Sequence, residues 1–581
     1  MTEQPTLTTE ILQQAQRWAE LDPDPETRAE LTALLADPHT NSAAILSRFA
    51  GRLEFGTAGL RAPLGAGPLR MNRVVVMQTT AGLAKFLREQ RPADAPQTVV
   101  VGFDARKNSA IFARDAAQVL AGYGFRAILL PGPLPTPVTA FAVRRYDAIA
   151  GVMITASHNP APDNGYKLYL GGLDNGSQIV PPQDSAIAAA IAEVAAGEFY
   201  DIKISDNFEH GSDFIFTEYV AATLASARSI QTHESLPPRS ATPQPTIVYT
   251  PLHGVGLATT ARLFTAADLP ELITVAQQAE PDPQFPTAQN PNPENPAALE
   301  LIFERAAQVG ADVILAHDPD ADRLAVALPS RDGSGNYTAL TGNQLGLLLG
   351  WRAAQNVAAE LAAGAIYDEQ PTLANTIVSS PALREVAKHY GLRYVETLSG
   401  FKWISRVPGL VFGFEEALGY LVNPTNIRDK DGISAALAVT DMVCELHRKG
   451  KTLWDMLDEA TALFGAFVSD QITLQFESAA QAAAALQQVR DNPPREFGGV
   501  AVANYQDLSQ LTAVDQRANV LRFDLTDGSR VMMRPSGTEP KLKLYIDCQN
   551  TAGTVSERQS AAAARAAELT AALRDSVNGI A

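Results

Sequence analysis

Asp147-Ala-Ile-Ala-Gly-Val-Met-Ile-Thr-Ala-Ser157-His-Asn-Pro160 is an apolar run that ends in a hydroxyl, an imidazole and a turn. The run has the length and composition of a buried strand, and Asn159-Pro160 forces the chain to turn just past it. A serine so placed sits at the carboxyl end of a strand, where α/β sheets put their ligands. Upstream, residues 98–103 and 126–130 read as two further strands, with a helical pattern over 111–121 between them. Strands alternating with helices predict a mostly parallel sheet. Ahead of this block, residues 8–19 and 25–36 have helical periodicity and good helix formers.

The pattern of a strand followed by a chemically loaded loop recurs downstream. Residues 246–250 read as a strand ending in Pro251-Leu-His-Gly-Val-Gly, and 312–317 as one ending at Asp318-Pro-Asp320-Ala-Asp322-Arg323. Residues 376–380 (Thr-Ile-Val-Ser-Ser) and 409–414 read as strands, the second delivering Glu415 and Glu416. Residues 501–503, 519–525, 529–534 and 541–546 crowd together as strands, which predicts an antiparallel sheet. The segment 229–246 is rich in Ser, Thr and Pro and reads as a surface loop, and 281–296, with six prolines, must be irregular. The expected architecture is three similar mixed α/β domains plus a C-terminal α+β domain around a central cleft. The expected boundaries are 1–206, 207–329, 330–455 and 456–581.

Composition excludes several classes. A chain of 581 residues with 46% apolar residues is too long for one core and has no composition of disorder. A net charge of −18 argues against a nucleic-acid groove, which wants a basic face, but not against a small anion site with aimed donors. Cys444 and Cys548 alone make no disulfide framework and no cysteine metal site. Glu3 and Glu10 stand where a signal peptide would have a basic region, and no apolar run is long enough to span a bilayer. The default expectation is a cytoplasmic protein with no membrane or nucleic-acid partner, monomeric or dimeric.

Each loop suits one kind of chemistry. Ser157 is exposed at a fixed turn, as a covalent nucleophile must be, although Ser, Asn and Pro also make plain turns. Lys167 follows closely and adds a cation. Asp318, Asp320 and Asp322 alternate at i, i+2 and i+4; their repulsion calls for a cation, and oxygen-only ligands select Mg²⁺ or Ca²⁺ over zinc. An EF-hand is excluded because Arg323 and Pro329 stand where it needs Gly and Glu. Glu415 and Glu416 are either a solvated pair or acceptors for sugar hydroxyls. Arg534, Ser536, Gly537, Thr538 and Lys541 surround a turn that is either a plain hairpin or a phosphate cradle of N–H, hydroxyl and guanidinium donors. No Walker loop competes: Gly450-Lys-Thr lacks its leading glycine, position 445 being Glu.

These motifs, with Gly56-Thr-Ala-Gly-Leu-Arg61 near the front, resemble those of the α-D-phosphohexomutase family, the phosphoglucomutases and phosphomannomutases. They run from about Gly56 to Tyr545. The resemblance implies a four-domain enzyme in which Ser157 is phosphorylated and a Mg²⁺ ion is held by Asp318, Asp320, Asp322 and an oxygen at Ser157. It implies that Arg323 clamps the transferring phosphoryl group, and that Arg61, His158, Lys167 and Lys402 assist proton transfer or hold phosphate. Glu415 and Glu416 would bind the sugar, and the Arg534 loop the other phosphate. Phe414 before Glu415, Ala417 in place of a serine common in the family, and Gly400-Phe-Lys402-Trp resemble the subgroup of bacterial α-phosphoglucomutases and phosphopentomutase-like relatives. The expectation is a mutase interconverting hexose 1-phosphate and hexose 6-phosphate, for glucose and secondarily mannose, with a sugar bisphosphate as intermediate and activator. The alternatives are a phosphopentomutase, a metal-dependent sugar phosphatase, and a sugar-phosphate sensor without activity.

Overall fold

A computed structural model describes residues 6–90, 97–228, 243–535 and 540–577. The loop read at 229–246 thus lies mostly outside the described residues, as do Ser536, Gly537 and Thr538. The chain divides into two compact units. The first is drawn from Met1–Ser229, Pro245–Ala339 and Asn423–Thr440, the second from Ile230–Gln244, Leu340–Val422 and Asp441–Ala581.

The first unit opens with helices Thr9–Leu21 and Pro25–Leu35, capped by Thr8 and Asp24, as their periodicity and cap residues predict. Its first sheet contains β1 (Leu60–Pro63), β2 (Thr98–Phe103), β3 (Arg126–Leu129), β4 (Ala150–Ile154), β5 (Asp163–Leu170), β6 (Ser177–Gln178) and β7 (Glu209–His210). The order is β1-β5-β4-β2-β3-β7, with β6 beside β5. Strands β4, β2 and β3 run parallel, and β5 runs antiparallel to β4. The second sheet holds β8 (Ile247–Thr250), β9 (Leu272–Thr274), β10 (Val313–His317), β11 (Leu324–Pro329) and β12 (Tyr337–Ala339), in the order β12-β11-β10-β8-β9. Here β10, β8 and β9 are parallel and β11 is antiparallel to β10. The central strands β2, β4, β8 and β10 are buried along their whole length, which is why they are continuous apolar runs rather than alternating ones.

The second unit has a sheet of β13 (Thr372–Thr376), β14 (Arg393–Thr397), β15 (Leu410–Glu415) and β16 (Gly419–Leu421), ordered β14-β13-β15-β16. Its last sheet holds β17 (Ala466–Gln475), β18 (Glu496–Phe497), β19 (Val500–Asp507), β20 (Leu521–Leu525), β21 (Arg530–Pro535) and β22 (Lys541–Asn550). All its pairings are antiparallel, as expected for an α+β domain.

Two readings need correction. The sheets are mixed rather than mostly parallel, because in each of the first three a parallel strand is followed at once by an antiparallel partner. The strand read at 376–380 is displaced to Thr372–Thr376. The apolar pair Ile377-Val378 that suggested it lies in the turn after β13 and packs with Leu398, Met532 and Tyr545. Among the described residues, no helix is long and apolar enough to cross a membrane.

The hairpin connections put the chemistry where it is. The β4–β5 loop carries Ser157, the β10–β11 loop the aspartates, and the β15–β16 loop Glu416. Arg534 lies near the end of β21, opposite Lys543 of β22. Each of the first three bends through one non-glycine residue in the left-handed region: Ser157 at φ 53, Ala321 at φ 55 and Leu418 at φ 61.

Candidate active site

In the first unit, two of these loops meet. Ser157 is 2% exposed, and its left-handed backbone costs a non-glycine residue roughly 1 kcal/mol or more. Thr155 Oγ1 accepts from the Ser157 N–H at 2.8 Å. The Ser157 hydroxyl donates to Asp318 Oδ2 at 3.0 Å and lies 3.2 Å from His158 Nδ1. Burial, then the Arg323 and Arg61 cations, push the His158 imidazole well below its ordinary range and favour its neutral form. Arg61 sits on β1 opposite Gly165 of β5. The turn that delivers it depends on Gly59, at φ 75, where a Cβ would lie 1.8 Å from the Tyr166 carbonyl oxygen.

Asp318, Asp320 and Asp322 are fully buried, and each offers a ligand oxygen within 4.8 Å of the others. Burial and the two neighbouring carboxylates push the Asp318 carboxyl well above its ordinary value. Asp322 shifts the other way: burial opposes its charge, but Lys167, Lys430 and Arg323 outweigh burial. Lys167, on β5, donates to Asp322 Oδ2 at 2.6 Å and reaches Asp320 Oδ2 at 3.4 Å. Burial works against the Lys167 ammonium, yet Asp322 and Asp320 keep it protonated, so it is a donor rather than a base here. Arg323 donates its backbone N–H to Asp318 Oδ1 at 3.0 Å and its guanidinium to Glu294 at 3.1 Å.

Two carboxylate oxygens are left over. Asp320 Oδ1 and Asp322 Oδ1 are buried without a hydrogen-bond partner among the described residues. A buried, unsatisfied carboxylate oxygen is costly. Together with Asp318 Oδ2 beside the serine, these atoms form an all-oxygen donor set that fits a hard divalent cation.

Sequence reasoning missed three participants. Lys430 donates to Asp322 Oδ2 at 2.9 Å. Its segment lies within the stretch read as a third domain, yet it packs in the first unit. There Asp429 accepts from Tyr169 at 2.8 Å and Gln178 at 2.7 Å, and Asp431 accepts from Tyr219 at 2.9 Å. The run Arg428-Asp-Lys-Asp-Gly432 was the available signal. Thr136 donates to Asp320 Oδ2 at 2.6 Å, and nothing in its local sequence marks it. Arg106, the third, holds the serine loop from its backbone side.

In the second unit, Glu415 ends β15 opposite Gly419. Glu416 has its Oε2 committed internally, accepting from Ser379 at 2.8 Å and Thr376 at 3.1 Å. Its carboxylate therefore braces the turn after β13. Arg534 donates to Ser399 Oγ at 2.5 Å, just ahead of Gly400 and the short helix Phe401–Ile404 that carries Lys402. Lys541 opens β22.

A buried serine hydroxyl just past the carboxyl end of an interior strand, set against three carboxylates suited to a hard cation, is an arrangement compatible with phosphoryl transfer. Comparison with known proteins narrows this. Residues 52–198, 218–331 and 341–464 match alpha/beta/alpha domains I, II and III of phosphoglucomutase/phosphomannomutase, and 479–565 match its C-terminal domain. A "Probable phosphomannomutase" of Haemophilus influenzae is 46% identical, covering 82% of this chain and 93% of its own. A mouse phosphopentomutase is 34% identical over 92% of this chain and 90% of its own. A Staphylococcus aureus phosphoglucomutase is 33% identical over 86% and 91%. The chain belongs to the phosphoglucomutase/phosphomannomutase family of the α-D-phosphohexomutases, and is an intramolecular phosphotransferase.

Proposed function

We propose that the protein interconverts hexose 1-phosphate and hexose 6-phosphate through a phosphorylated Ser157 and a hexose bisphosphate, with glucose as the main sugar and mannose as the second. The observation that carries this reading is the buried Ser157 hydroxyl, 3.0 Å from Asp318, beside the two partnerless oxygens of Asp320 and Asp322. In the forward half, the P–Oγ bond of phosphoserine breaks and a P–O bond to the free sugar hydroxyl forms. That hydroxyl gives up its proton, and the freed Ser157 Oγ takes one up. In the return half the other phosphoryl group passes to Ser157. The sugar oxygen it leaves takes back a proton.

Asp318, Asp320 and Asp322, with an oxygen at Ser157, would hold Mg²⁺, whose charge when bound neutralises the phosphoryl oxygens. The roles of the protein's own residues follow from their state. His158, with Nδ1 3.2 Å from the Ser157 hydroxyl, is assigned to the hydroxyl proton. Lys167, Lys430 and Arg323 supply fixed positive charge where negative charge develops. Arg61 adds to that field. In the second unit, Glu415 is assigned to the sugar hydroxyls, with Lys402 as a hydroxyl or proton contact. Arg534, Ser536, Gly537, Thr538 and Lys541 are assigned to the phosphate that is not reacting. Glu416 is assigned a bracing role beside Glu415.

The relatives' names favour one second reading, a pentose 1-phosphate mutase, since phosphopentomutase is among them. Glucose and mannose differ only at the 2-hydroxyl, and one hydrogen bond there is worth ~1 kcal/mol, about fivefold, so the two hexoses should overlap. The test compares kcat/KM for glucose 1-phosphate, mannose 1-phosphate, ribose 1-phosphate and deoxyribose 1-phosphate under one Mg²⁺ condition. Both hexoses should exceed both pentoses. A pentose ahead of both hexoses by more than about tenfold, beyond what one contact explains, makes the protein a phosphopentomutase. Net release of inorganic phosphate would make it a phosphatase.

A further inference from the structure

The strained serine is held by a residue that the chemistry above does not use. Arg106 lies between β2 and the helix Ser109–Gly122, and is 4% exposed. One arm of its guanidinium donates to the carbonyl oxygens of Ser157 at 2.5 Å and Asn159 at 2.6 Å. The other donates to those of Pro160 at 2.9 Å and Asp163 at 3.1 Å. The fork is itself fixed. The Asp104 carboxylate lies 3.4 Å from Arg106 Nε, and Asp104 Oδ1 accepts from the Arg106 backbone N–H at 3.0 Å. The ring of Phe285, from the proline-rich segment, covers the guanidinium at 4.9 Å. Three of the four acceptors belong to the loop that carries Ser157 through φ 53, and the fourth, Asp163, is the first residue of β5, where that loop ends. A planar guanidinium can serve four diverging carbonyls at once; a lysine ammonium, with three donors on a flexible stem, cannot.

We propose that Arg106 is a positioning residue: by gathering the carbonyls of Ser157, Asn159, Pro160 and Asp163, it sets the left-handed backbone that aims Ser157 Oγ at the Asp318 carboxylate. It touches neither the reacting hydroxyl nor the three aspartates' ligand oxygens, so it acts on the geometry of transfer and not on substrate affinity. The proposal rests on the reading that Ser157 carries the phosphoryl group. In the step concerned, a P–O bond of a sugar bisphosphate breaks and a P–Oγ bond to Ser157 forms. The serine proton ends on the released sugar oxygen, so no further reactant is needed.

The test uses the full chain with Mg²⁺, stripped of phosphate and mixed with glucose 1,6-bisphosphate. Phosphate on Ser157 is followed in a single turnover by quenched-flow mass spectrometry, per folded protein. Arg106→Lys should slow the transfer about 10- to 100-fold, as misplacement of a reacting atom does, with KM for glucose 1-phosphate within about twofold. Phe285→Leu, which leaves the four donors but uncovers the fork, should slow it about threefold, and decides the matter if Arg106→Lys does not fold. Wild-type transfer rates in the folded variants would overturn the positioning role, as would a rise in KM that accounts for the whole loss. A wild-type chain that takes no phosphate on Ser157 overturns the underlying reading instead, and is distinguished from these outcomes before any variant is made.

Discussion

At the level of single residues, the site balances three buried carboxylates against cations drawn from distant parts of the chain. Asp322 receives both Lys167 and Lys430 on one oxygen and leaves the other unused. Removing one ammonium from such a set strips a charge-assisted contact and leaves the carboxylate under-compensated. Lys430→Met should therefore lower kcat/KM by about 2–4 kcal/mol in steady-state assays, while Lys430→Arg keeps part of the activity. A Lys430→Met enzyme within threefold of wild type would show that the contact is incidental. The two glutamates of the sugar loop should separate. Glu415→Gln should reduce kcat/KM for both hexoses. Glu416→Gln, whose Oε2 only braces Thr376 and Ser379, should instead cost about 1 kcal/mol in denaturant unfolding, with KM little changed. The opposite pattern would exchange the two roles. Ser157, the aspartates and Glu415 were legible in the sequence because each follows an apolar strand within a few residues. Lys430 and Thr136 were not, because each meets its aspartate across more than 100 intervening residues, a distance over which no local pattern survives.

At the level of elements, the four loaded loops share one device, a strand turning directly into an antiparallel neighbour. The sequence announces the first strand of each pair by its apolar run. It hides the reversal, since β5 and β11 are buried almost throughout, like the strands before them, and direction has no composition. The third sheet shows a different failure. Strand β13 is Thr-Leu-Ala-Asn-Thr, whose buried Asn375 donates its amide to the Ser380 carbonyl at 3.0 Å. Polar residues with internal partners look like loop, and the apolar pair after them looks like strand. The close packing of β1 on β5 gives a sharp prediction. Gly59→Ala would drive a Cβ into the Tyr166 carbonyl at 1.8 Å and force an unfavourable φ of 75. It should lower stability by about 2–4 kcal/mol in chemical unfolding and displace Arg61, with activity falling in step. A variant as stable and active as wild type would mean that the turn relaxes freely.

At the level of the whole molecule, a net charge of −18 coexists with a cluster of Arg61, Lys167, Arg323 and Lys430 in the first unit. Local donors, not the average charge, decide what anion binds. The same logic ties metal to stability, because the aspartate cluster gains its missing partner only when a cation is present. Mg²⁺ at about 100 times its dissociation constant should stabilise the folded chain by about 2.7 kcal/mol. That appears as a higher unfolding midpoint that chelation reverses and Asp320→Asn abolishes. A midpoint indifferent to Mg²⁺ would remove the aspartates from the account. Phosphopeptide mapping decides whether Ser157 carries the phosphoryl group. The chain is equilibrated with glucose 1,6-bisphosphate and Mg²⁺, digested, and its phosphopeptides mapped beside those of Ser157→Ala. A single phosphate on Ser157, none on the variant, and a loss of turnover of at least ~10³-fold in the variant are expected. Phosphate on a different residue, with Ser157→Ala still turning over, would contradict that role of Ser157.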